Sequence, residues 1–291
     1  MLIQQLINGL SIGSIYALMA VGYSLIYSLL SFTNFAHSIT VAVGAYTAYY
    51  VLTLFPGAHV VVAILASVLV GGCLAMFIET VAYRPLLNRN AKRIYLLIAG
   101  LGISTVGENL IIVTIGGRFK AYPPTFSIEP VNIFGANVGQ VDLVILLVSL
   151  IALVLVELLI QKTKIGLAIR GAAFDLNTTS LMGVNVSQLI LMVFLIAGSL
   201  AGLAGVFLGV KYTAYPAIGA MTTKAFISAV FGGMGSLPGA MAGAMILGVM
   251  ESLISGYISS SMRDIFSFSL LVIVLLIRPT GLMGKVSEEK A

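Results

Sequence analysis

The chain has 291 residues, of which 59% are hydrophobic and only 9% charged, with a net charge of +5. That leaves too little polar surface for a soluble domain, and because the basic residues gather in short loops their charge orients helices instead of marking a nucleic-acid surface. A single cysteine, Cys73, excludes both an intramolecular disulfide and a thiolate metal cluster.

In chain order, apolar blocks fall near residues 2–30, 39–54, 60–82, 94–115, 141–161, 189–209, 222–258 with a break, and 265–277. About 20 helical residues cross a hydrocarbon core roughly 30 Å thick, and apolarity that runs on without alternating selects helices over a barrel. These blocks predict an all-α, polytopic transmembrane helical bundle of about eight hydrophobic segments, two of them broken or re-entrant, in a single membrane domain over residues 1–291. No basic residue precedes the first block, which is therefore read as a retained helix and not a cleaved leader.

The loop at 83–93 carries Arg84, Arg89, Lys92 and Arg93 without an acid, and the stretch after Gln161 carries Lys162, Lys164 and Arg170 against Asp175. Both are predicted to be cytoplasmic. Between them, residues 116–140 balance Arg118 and Lys120 against Glu129 and the following Asp142, and Pro123, Pro124 and Pro130 forbid a helix, so this loop is predicted to face outward. The tail, with Arg278, Lys285 and Lys290 beside Glu288 and Glu289, favours the cytoplasm.

Two stretches interrupt the blocks, Ser31-Phe-Thr-Asn-Phe-Ala-His-Ser38 and Gly232-Gly-Met-Gly-Ser-Leu-Pro-Gly239. Non-helical backbone at membrane depth survives only where protein or a watery cavity satisfies it. Each precedes a helix with a small pair at matching distance, Gly44-Ala45 and Gly243-Ala244, which fits either two related half-helix units or chance. If residues 2–30 are one long span the N-terminus lies outside, and if they are a span plus a returning half-helix it lies inside.

Ionisable groups at depth are Glu79, Glu108, Glu157 and Glu251, with Lys211 and Lys224 toward the outer ends. Glu79 and Glu157 lie near cytoplasmic loops, where snorkelling or pairing with a basic residue explains them. Glu108, beside Asn109, either lines a cavity or bonds a neighbouring helix. His37 in the first break and His59 at an outer turn have no carboxylate at ligand spacing, so no metal site and no cofactor is expected, and the membrane blocks offer no acidic pair for a proton relay. Without a phosphate-cradling loop, the energy for any transport must come from an ion gradient or another polypeptide. The long cytoplasmic stretch 162–187 is predicted to hold an amphipathic helix over 165–180 with Gly183 as its stop, either floating on headgroups or docking in a groove of a soluble partner with apolar anchors buried and Arg170 and Asp175 orienting the contact.

Together, Asn8-Gly-Leu-Ser-Ile-Gly-Ser-Ile-Tyr-Ala17, Asn34-Phe-Ala-His37, Tyr83-Arg-Pro-Leu86, the run from Gly166 to Gly183, Lys224-Ala-Phe226, the second break and Arg278-Pro-Thr-Gly281 resemble, in order and spacing over nearly the whole chain, the permease subunits of branched-chain (hydrophobic) amino acid ATP-binding-cassette transporters. The family commonly has glycine where this chain has Ser38. The resemblance implies a prokaryotic inner-membrane importer subunit without enzymatic activity, working with ABC ATPase subunits, a second homologous permease and an extracytoplasmic binding protein. Some relatives carry urea, short amides or sugars instead. It implies a coupling surface at Lys164, Gly166, Arg170, Phe174, Asp175, Leu181, Met182 and Gly183, with Ile169, Phe174, Leu181 and Met182 as its apolar anchors. The two breaks then become candidates for the substrate path, with Asn34, Phe35, His37, Ser38, Glu108, Gly233, Gly235 and Ser236 lining it. Competing readings are an ion-gradient transporter using His37 and Glu108, and a membrane enzyme or scaffold.

Overall fold

The computed structural model describes residues 2–55, 57, 59–123, 131–133, 136–278 and 280–284. Pro124, Glu129, Pro130, Lys285, Glu288, Glu289 and Lys290, used above to orient loops, lie outside the described residues. Helix α1 (Leu2–Leu30) is continuous and stops where Ser31 turns to φ 51°. It is followed by α2 (His37–Leu54), α3 (Val60–Ile78), a π-turn (Glu79–Tyr83), α4 (Arg84–Asn88) and α5 (Arg93–Ile115). The π-turn has a local cause: Pro85 in the next turn has no N–H to give, and a widened turn absorbs the missing bond within an otherwise unbroken helix.

A short antiparallel hairpin, β1 (Val131–Ile133) with β2 (Ala136–Val138), precedes α6 (Gln140–Lys162). After it come α7 (Lys164–Phe174), α8 (Leu176–Leu181), α9 (Val186–Tyr212), a 3-10 turn (Pro216–Met221), α10 (Thr222–Gly232), α11 (Leu237–Tyr257), a second 3-10 turn (Ser260–Met262) and α12 (Arg263–Ile277). Seven of the described helices are long and apolar enough to cross a membrane, while α10, with 11 residues and a length of ~16 Å, reaches about halfway. Because α1 is one unbroken helix, the sequence branch in which a half-helix turns back before Asn34 does not apply.

The described helices sort into two compact units. One comprises Met1–Ser24, Phe126–Ile151 and Thr223–Ala291. Here Gly9 and Gly13 of α1 let its backbone meet that of α11 at Ala244, Met245, Gly248 and Val249, and the hydroxyl of Ser252 donates to the Gln5 carbonyl at 2.7 Å. α11, with 21 residues or about 31 Å, is long enough for a crossing, and a turn at residues 233–236 joins it to α10. Gly233 takes φ 110° in that turn, and the tail seals it: the N–H groups of Leu282 and Met283 donate at 2.9 Å to the Phe231 and Gly232 carbonyls, which the end of α10 would otherwise leave bare.

The other unit comprises Leu25–Thr125 and Ala152–Thr222. Its centre is α9 packed between α2 and α3, and the contacts are backbone against backbone. A side chain at Gly202 would strike the Ser67 carbonyl, and one at Gly205 the Val41 carbonyl. In lipid, where apolar burial drives little association, such close approach is what holds helices together. The hydroxyl of Ser67 adds a bond to the Gly44 carbonyl at 3.0 Å.

Candidate functional site

The break after α1 is an organised turn. Asn34 is buried, and its Oδ1 accepts both the Ala36 N–H at 3.1 Å and the phenol of Tyr83 at 2.6 Å. Tyr83 comes from the π-turn, is fully buried, and stacks between Phe32 and Phe194 with ring centroids 5.1 and 5.5 Å away. Gly100 of α5 makes room for this: a Cβ there would sit 2.6 Å from the Tyr83 hydroxyl and 3.2 Å from the Phe35 nitrogen. His37 is buried at the start of α2, and Ser38, at the family's usual glycine position, turns its hydroxyl to Ser104 of α5 and to the Phe35 carbonyl at 3.1 Å. Four of the path candidates, Asn34, Phe35, His37 and Ser38, thus gather in one neutral, hydrogen-bonded turn. Glu108 stands one turn beyond Ser104, half-buried, with no hydrogen bond or ion pair to another described residue. Gly233, Gly235 and Ser236 belong to the other unit, where Gly235 N–H donates to the Ser24 hydroxyl at 3.1 Å and Ser236 caps α11 through the Gly239 N–H at 3.2 Å.

Sequence reasoning named Tyr83 only as part of a motif and passed over its contact with Asn34. It also missed a charged cluster in the first unit. Glu251 of α11, 1% exposed, accepts from Tyr16 at 3.0 Å and Ser267 at 2.8 Å, and Lys224 lies 3.0 Å from one of its oxygens. Lys224 also meets Asp264 at 2.7 Å, and Arg263 approaches the second Glu251 oxygen at 3.8 Å. The expectation of no acidic pair fails here, because Glu251 and Asp264 share one lysine from three different helices. Two cations against two carboxylates neutralise each other. Glu79 likewise forms a two-point pair with Arg84, at 2.7 and 3.1 Å, and Glu157 accepts from Gln161 one turn away. Among the described residues no group of three or more His, Cys, Asp or Glu is placed to hold a metal.

In the 162–187 stretch the single helix expected over 165–180 is two, because Asp175 ends one and starts the next. Its Oδ1 accepts the Asn177 N–H at 2.8 Å and its Oδ2 the Thr178 hydroxyl at 2.5 Å, so Asp175 is the N-cap of α8. These bonds, the Thr178 hydroxyl foremost, hold its carboxyl below the ordinary value. Thr163 caps α7, a side chain at Gly166 would strike the Ile160 carbonyl, and Arg170 donates to that same carbonyl, so α7 is fixed to the end of α6. Lys164 opens α7, and Gly183 at φ 85° ends the segment. Ile169 is buried within the chain and is no outward anchor. Phe174, Leu181 and Met182 are 87%, 86% and 80% exposed, three large apolar groups facing away from the protein.

Residues 5–275 match the family model described as "Branched-chain amino acid transport system / permease component". The chain belongs to this permease family. Like its relatives it is a multi-pass membrane protein. It is 37% identical to the high-affinity branched-chain amino acid transport system permease protein LivH of Salmonella typhimurium, over 99% of this chain and 97% of that one. Identity to the corresponding Pseudomonas aeruginosa protein, BraD, is 36% with the same coverage. Among solved structures, PsaBC from Streptococcus pneumoniae in complex with Fab shares the fold, with TM-score 0.52 and 18% identity over 94% of this chain and 91% of that one.

Proposed function

We propose that this permease is one membrane subunit of an ATP-driven importer that carries branched-chain and other hydrophobic amino acids, received from an extracytoplasmic binding protein and passed along a path formed with a second homologous permease. The observation that carries the reading is the exposed apolar triad Phe174, Leu181 and Met182 on two capped helices fixed to α6, in a chain that matches amino acid permeases end to end. Three large apolar groups held out into the cytoplasm on a rigid mount fit the groove of a partner that closes and opens, and ABC ATPase subunits supply that movement. Arg170 and Gly166 transmit it, because they join α7 to the end of a spanning helix. The Asn34–Tyr83 turn fits the path: a zwitterionic amino acid with an apolar side chain needs oriented backbone and neutral polar groups, and a fixed charge there would hold it too tightly.

The test is uptake of labelled leucine into vesicles holding the assembled complex, with ATP and ion gradients varied separately. Uptake should require ATP and binding protein and survive collapse of the gradients. Replacing Phe174, Leu181 and Met182 together by Ala should abolish uptake while binding-protein affinity for leucine is unchanged. Uptake that follows the gradient and ignores ATP would overturn the reading.

A further inference from the structure

A groove of about 470 Å³ opens sideways between α3 and α5 in the second unit, with Ile39 at its floor. Its lining is apolar almost throughout. Leu74 and Ile78 form one wall, beside Phe77, and Gly102 and Val106 the other, at four-residue spacings that place each pair on a single helix face. Both helices are spans, so the groove faces acyl chains and not water. Its cytoplasmic end has a second property. Ala99 in the groove is six residues from Arg93, about 9 Å along α5, and Arg89, Lys92 and Arg93 are exposed there with no ion pair to any described carboxylate. Arg84 is the exception in this loop, committed to Glu79.

We propose that this is a binding site for one anionic phospholipid of the cytoplasmic leaflet, with an acyl chain in the groove and the phosphate on Arg89, Lys92 and Arg93. Either half alone would be ordinary membrane surface. Their stacking, an apolar slot with Arg93 about 9 Å further along α5 and with Arg89 and Lys92 in the adjoining loop, all without an ion pair among the described residues, matches both parts of one molecule. The site also touches the machinery of the break, since Ile78 and Ala82 in the groove wall flank and belong to the π-turn that delivers Tyr83 to Asn34.

The chain has no tryptophan, so Phe77→Trp places a single indole in the groove wall. Full-length protein is reconstituted in phosphatidylcholine vesicles in which either phosphatidylglycerol or phosphatidylcholine carries brominated acyl chains, which quench indole emission on contact. Brominated phosphatidylglycerol is expected to quench at about a tenfold lower mole fraction than brominated phosphatidylcholine. Neutralising Arg89, Lys92 and Arg93 to Gln should erase that difference, and Arg89→Gln alone, which leaves most of the loop's orienting charge, should shrink it about fivefold at most. Gly102→Phe should cut quenching by both lipids: a Cβ at Gly102 meets nothing within 4 Å, so the ring has room to fill the slot. Equal quenching by the two lipids in every variant would overturn the proposal. So would recovery of emission on adding millimolar inorganic phosphate, which would leave only a surface anion site, or shielding of the indole from both lipids in the assembled complex, which would make the groove a protein interface.

Discussion

Both units hold a buried polar cluster that joins separate helices, and the two are made of opposite materials. The Asn34–Tyr83 cluster is neutral, satisfies a turn that has left the helix, and involves one amide, one phenol, one backbone N–H and two flanking rings. The Glu251 cluster is ionic and ties α1, α10, α11 and α12 through Tyr16, Lys224, Arg263 and Ser267. Burying an ion costs several kcal/mol unless it is paired, so the charged cluster tolerates only its complete arrangement. A neutral hydrogen bond is worth roughly 1 kcal/mol net, so the turn at Asn34 can exchange partners cheaply. The contrast assigns rigidity to the Glu251 cluster and adaptability to the break.

The sharpest way to break this contrast is Glu251→Ala, which leaves Lys224 and Arg263 facing each other; thermal unfolding in detergent should show a loss of about 3–5 kcal/mol. Combining it with Lys224→Met should restore part of that loss. If single and double variants unfold alike, the cluster is not held by charge. Tyr83→Phe comes next, at about 1 kcal/mol, because Asn34 keeps its bond to the Ala36 N–H. Its effect on leucine uptake should exceed its effect on unfolding, and an uptake rate equal to that of the parent would remove the adaptable turn from the transport cycle. Within the charged cluster, Asp264 has a side chain 64% exposed, so Asp264→Asn should cost under about 1 kcal/mol and the loss should vanish in high salt. The smallest effect belongs to a solvated carboxylate, Asp175. Its pKa is lower folded than unfolded, so its contribution is complete above the ordinary carboxylate value and fades as pH falls through the folded one. Protection of the 176–181 amides, corrected for the intrinsic pH dependence of exchange, should therefore be constant between pH 5 and 8, fall once acid protonates Asp175, and be low at neutral pH in Asp175→Ala.

Local signals carried much of this fold. Continuous apolar runs set the spans within a few residues, Ser31 to Ser38 marked the first break, and Gly183 marked a helix end. Asp175 was equally local, an N-cap residue in mid-stretch, whereas the stretch read as a loop from 83 continues as helix to Asn88. What stayed hidden depends on separation along the chain. Tyr83 meets Asn34 across 49 residues and Tyr16 meets Glu251 across 235, and no periodicity within one segment encodes such pairs. Nor does the apolar block at 189–209 say by itself that Gly202 faces Ser67.

The bonds from Leu282 and Met283 to the end of α10 bear on how the protein is made. A ribosome adds these two residues after every span has been synthesised. While α11 and α12 are being threaded into the bilayer, the last carbonyls of the shortest membrane helix have no protein donor, so α10 can settle only after insertion is complete. A nascent chain arrested before residue 282 would hold all seven long spans and still leave that half-helix open at its end.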